Sequence, residues 1–71
     1  MEDINSLLGT NIKALRIKHG FSQKDLASKL GISIQAVSKW ERGRSAPDIM
    51  FLPNLSEIFK CSIDDLFLEI K

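Results

Sequence analysis

Seventy-one residues, with ten Lys and Arg against nine Asp and Glu, make one small domain over 1–71 with a net charge of +1 and a core over about 8–68. An apolar content of 44 % with 27 % charged residues excludes a disordered tail, and the lone Cys61 excludes an internal disulfide framework and points to a cytoplasmic chain. Met1-Glu2-Asp3 has no basic leader character and no apolar run approaches the ~18–20 residues of a bilayer span, so neither secretion nor membrane insertion is expected.

Helical periodicity runs through the chain, without strand-like alternation. Leu8, Ile12 and Leu15 recur at i, i+4, i+7, and Gly20 follows Lys18-His19, so the spacing predicts a helix over about 4–18. Ser22 and Asp25 read as an N-cap with an acid three residues on, opening a second helix over about 23–30 that buries Leu26, Ala27 and Leu30 and stops at Gly31. Ser33 caps a third helix over about 34–42, with an inward stripe of Val37, Trp40 and Glu41. Gly31, Ile32 and Ser33 alone separate these two helices, which forces a steep crossing plugged by Ile32: a helix-turn-helix.

Gly43, Ser45, Pro47 and Asp48 mark a loop. Leu52, Leu55, Ile58 and Phe59 mark a fourth helix, with a loose turn at 49–51 because Pro53 would clash with the Ile49 carbonyl inside a helix. Ser62 and Asp65 repeat the Ser-x-x-acid cap before Leu66 and Phe67, which predicts a short fifth helix over about 63–68. The fold expected is all-α.

Charge is unevenly distributed along this chain. Between Lys13 and Arg44 eight basic residues face only Asp25 and Glu41, a local net of +6, while both flanks are acidic. On the third helix the arc opposite the inward stripe carries Ile34, Gln35, Ser38, Lys39 and Arg42, with small Ala36 alongside. An α-helix fits the major groove of DNA. There Gln35 has the donor and acceptor for adenine N6/N7, Lys39 can donate to guanine O6/N7, and Ile34 can pack on a thymine methyl. Gln23 lies in the first turn of the second helix, where free N–H groups and the positive helix end favour a phosphate.

These residues resemble the phage-repressor-like (Xre/Cro-C1-type) helix-turn-helix regulators. The resemblance covers about residues 8–68 and rests on Gln23, Leu26, Ala27, Leu30, Gly31, Ile32, Val37 and Trp40, on the string Ala36 to Gly43, and on Pro47-Asp48, Phe51-Leu52-Pro53 and Ser62 to Phe67. It implies a five-helix, lambda-repressor-like DNA-binding domain acting as a sequence-specific transcriptional regulator, a repressor, without cofactor or metal. It further implies base contacts from Ile34, Gln35, Ala36 and Lys39, and phosphate contacts from Gln23, Ser38, Arg42, Arg44, Ser45 and Arg16. Ile34 departs from the family, where many phage repressors carry Gln.

Glu41 on the inward stripe would cost several kcal/mol if unpaired, so a structural ion pair with Arg16 is expected, as the resemblance also implies. Trp40, Phe21, Phe59 and Phe67 read as core, and Cys61 as a small apolar filler. One compact domain of radius about 11 Å covers roughly half a site, so the expected partner is double-stranded DNA with an inverted repeat, bound by a homodimer formed in solution or only on DNA. Leu7, Phe51, Leu68 and Ile70 are candidates for that contact. An enzyme is not expected: one His, one Cys and no Tyr leave few catalytic groups, and the core leaves little room for a cavity of ~300 Å³. The alternative is a protein-interaction module on the same fold, antitoxin-like, using the third helix or the C-terminal apolar residues. Gln35 and Lys39 on a basic rim suit bases better than an apolar groove.

Overall fold

A computed structural model describes residues 3–68. Four α-helices, α1 (Ile4–Lys18), α2 (Gln23–Leu30), α3 (Ile34–Glu41) and α4 (Leu52–Phe59), are joined by a 3-10 turn at Ile49–Phe51 and followed by another at Asp64–Phe67. No strand occurs among the described residues.

Three of the four helix starts carry a side-chain cap. Asp3 accepts the Ser6 N–H at 2.8 Å at the head of α1. Ser22 and Asp25 exchange reciprocal bonds of 3.0 and 2.9 Å, a complete capping box, and Ser33 accepts the Ala36 N–H at 3.2 Å. Gly31 ends α2 at φ 71°, a left-handed conformation that costs a glycine nothing. Lys60 ends α4 in the same region at φ 52°, without that advantage.

The fifth helix is corrected to a single 3-10 turn. Ser62 and Asp65 do form the reciprocal cap, at 3.1 and 3.0 Å, but the bonds that follow run i to i+3, from Asp65 N to Ser62 O and from Leu66 N to Ile63 O. Four residues cannot repay the nucleation cost of an α-helix. The carbonyls of Leu66 and Leu68 instead accept from Nδ2 of Asn11, each at 2.7 Å. Asn11 on α1 is thus a buried polar clasp for the C-terminal turn, a role the apolar periodicity does not signal.

Leu8, Ile12, Leu26, Val37, Leu55, Phe59 and Leu66 meet in one core with Trp40 at its edge. The radius of gyration is 10.8 Å. Helices α1 and α3 approach closely at Gly9, where a side-chain carbon would collide with the Trp40 carbonyl. Gly43, at φ 71°, lets the chain leaving α3 pass over Ser6. These contacts set the height at which α3 projects.

Candidate nucleic-acid interface

Val37 and Trp40 face the core from α3, with the Glu41 side chain turned inward beside them. Ile34, Gln35, Lys39 and Arg42 are exposed, while Ala36 and Ser38 are half-buried. Arg42, just past the end of α3, lays its Nε 3.3 Å from the Ser38 carbonyl and so lies back along the helix. Arg44 is exposed and Ser45 half-buried in the loop that follows.

Glu41 is the one acid of α3, and its side chain is only 3 % exposed. Arg16 holds it in a two-pronged pair, Nε to Oε2 at 2.6 Å and Nη2 to Oε1 at 3.0 Å. The third edge of the guanidinium donates to the Phe21 carbonyl at 2.8 Å, fastening the loop between α1 and α2. Bonding to Glu41 raises the Arg16 pKa, against the opposing effect of burial. Gln23 completes the cluster: its Nε2 donates to Glu41 Oε1 at 3.1 Å. Three helices therefore share one carboxylate. The Gln23 amide keeps a second N–H, and it stands at the N-terminus of α2, where backbone donors lack helical partners.

Lys29 lies outside this face, with its Nζ 4.8 Å from the Phe21 ring centroid. Two open depressions of about 440 and 370 Å³ adjoin it, one lined with Asn54, Glu57 and Ile58, the other with Phe21, Asp25 and Ser28. Burial pushes the Cys61 thiol pKa up, which suits a packed side chain rather than a thiolate. Among the described residues no group of three His, Cys, Asp or Glu could hold a metal ion, and no helix is long and apolar enough to cross a membrane.

The sequence profile described as helix-turn-helix matches residues 12–66. The chain belongs to this family. The helix-turn-helix regulator DicA of Escherichia coli is 40 % identical over 62 residues, covering 87 % of this chain and 46 % of DicA. An uncharacterised helix-turn-helix regulator of Archaeoglobus fulgidus is 30 % identical over 59 residues, covering 83 % of this chain and 84 % of the archaeal one. Among solved structures, the restriction-modification controller protein C.AhdI of Aeromonas hydrophila superposes with a TM-score of 0.80 at 25 % identity, over 89 % of this chain and 96 % of C.AhdI. This helix-turn-helix chain thus spans most of the archaeal relative and about half of DicA.

Proposed function

We propose that this helix-turn-helix regulator represses transcription by laying α3 in the major groove of an inverted-repeat operator, one copy to each half-site. Ile34, Gln35, Ala36 and Lys39 meet base edges. Gln23, Ser38, Arg42, Arg44, Ser45 and Arg16 meet phosphates on either side, Arg16 and Gln23 with the donors that Glu41 leaves free. The chain acts in the cytoplasm, performs no catalysis and needs no cofactor.

The observation that carries this reading is the inward turn of Glu41. Its carboxylate is neutralised by Arg16 and Gln23, so the outer side of α3 offers amide, hydroxyl and cationic groups to a polyanion with no acid among them. Selection of bound duplexes from a random pool at two salt concentrations tests it. Enriched sites whose affinity falls steeply with salt are the expected result. Absence of enrichment, with affinity indifferent to salt, would overturn it in favour of a protein partner.

A further inference from the structure

Arg42 ends α3, and its backbone still follows the helix: its N–H donates to the Ser38 carbonyl at 3.1 Å. The side chain folds back onto the same oxygen, with Nε at 3.3 Å. One carbonyl therefore holds this residue twice. A guanidinium whose Nε–H is occupied in this way keeps its end, Nη1 with Nη2, as a planar fork of donors. Arg42 is exposed, and among the described residues no carboxylate pairs with that fork.

The placement of the fork follows from helical pitch. At ~100° per residue the seven steps from Gln35 to Arg42 come within ~20° of two full turns, so both side chains leave α3 along one ridge. Lys39 is also exposed, three positions before Arg42. Like charges at that spacing repel and destabilise a helix. The negative end of α3 offsets part of this repulsion, but it gives no reason for Arg42 to stand in line with Gln35. An electronegative acceptor facing the ridge does. Phosphates line the rims of the major groove, whereas the ridge that carries Gln35 faces its floor. There the adjacent O6 and N7 of guanine are the acceptor pair that matches an arginine fork.

We infer that Arg42 reads a guanine in each half-site, on the same groove floor as the base that meets Gln35. With α3 rising ~1.5 Å per residue and base pairs ~3.4 Å apart, the two bases lie about two to three pairs from one another. This rests on the proposed operator reading and goes beyond it: an outer N–H of the fork still grips the backbone, while the inner pair selects a base. The length of the side chain matters, because a recognition helix meets the groove floor most closely at its N-terminal end. At the far end of α3 only a long side chain spans the remaining gap, and the Ser38 tether fixes its aim.

The test uses the full chain and the tightest duplex that the wild type enriches from a random pool, with each base pair of one half-site changed in turn and binding read by fluorescence anisotropy. The wild type is expected to prefer guanine ~10-fold at a position about two to three pairs from the one whose preference changes in Gln35→Ala. Placing 7-deazaguanine there removes the N7 acceptor and should weaken the wild type several-fold. Arg42→Ala should bind every duplex more weakly, lose the guanine preference and the response to 7-deazaguanine, and keep the wild-type ratios at the Gln35 position. If Arg42→Ala instead weakens all duplexes by one factor and keeps the guanine preference, Arg42 serves phosphates alone and the inference is overturned, with the operator reading left standing. A wild type without a guanine preference at that distance, or indifferent to 7-deazaguanine, overturns it in the same way. A wild type that enriches no site overturns the operator reading with it.

Discussion

Gly9 lies directly beneath the carbonyl of Trp40: a carbon added to Gly9 would overlap that oxygen and reach the carbonyl carbon at 3.0 Å. In an open helix Gly→Ala stabilises by ~1 kcal/mol. Here the neighbour is backbone, so the added methyl must push α3 away from α1 at an overpacking cost of ~1–3 kcal/mol. Gly9→Ala is expected to lower the urea midpoint, with exposed Thr10→Ala as control, and to weaken DNA binding beyond the loss of folded protein. An unchanged or higher midpoint would mean that the α1–α3 spacing is soft.

Glu41 joins α3 to both other helices of the cluster. Removing it leaves the Arg16 guanidinium, 12 % exposed, without its counter-charge. Glu41→Ala should cost about 3–5 kcal/mol, whereas exposed Glu57→Ala should cost close to nothing. Thermal melts of the two variants check this, and equal midpoints would refute the pairing as a structural element.

Asn11 gives a second buried polar test. Its Nδ2 serves the Leu66 and Leu68 carbonyls together. Asn11→Ala should cost ~1–3 kcal/mol, and Asn11→Asp more, because it sets a carboxylate against those two carbonyl oxygens. Amide hydrogen exchange should show protection lost first around Leu66.

Stability should also report the α2 cap through pH. Bonds from the Ser22 backbone and hydroxyl hold the Asp25 pKa below its ordinary 3.8. A lowered folded-state pKa means that the contribution is present above 3.8 and fades as pH falls through the lower folded-state value. The melting temperature of wild type should therefore exceed that of Asp25→Asn near neutral pH, and the two should converge in acid. A gap that persists undiminished in acid would remove the carboxylate's charge from the explanation.

On DNA, Gln35 and Arg44 should separate reading from gripping. Gln35→Ala is expected to change the preferred base at one position per half-site, at ~1–3 kcal/mol of discrimination. Arg44→Ala should weaken all sequences alike and reduce the salt slope by about one. Repeating the pool selection with each variant, alongside salt titrations, distinguishes the two; a Gln35→Ala protein with unaltered preference would refute its assignment to bases.

Local signals were legible where one residue's chemistry suffices. The Ser22, Ser33 and Ser62 caps, the Gly31 turn and the outward arc of α3 follow from side-chain hydrogen bonding, left-handed tolerance and helical pitch. The fifth helix was misread because a capping box announces a start and says nothing of length. Gln23 reads from the sequence as a phosphate-facing residue alone because its partner, Glu41, lies eighteen positions away. Asn11 gave no signal at all: an asparagine among apolar neighbours reads as a solvent-facing break until a distant carbonyl is brought to it.

The amino-acid sequence by itself determined helices α1 to α4 and the side of α3 that turns outward, since each depends on contacts within a few positions. Only the tertiary structure decided what Gly9, Asn11 and Gln23 are for. Those outcomes depend on close approaches between segments far apart in the chain, and periodicity carries no record of distance across the core.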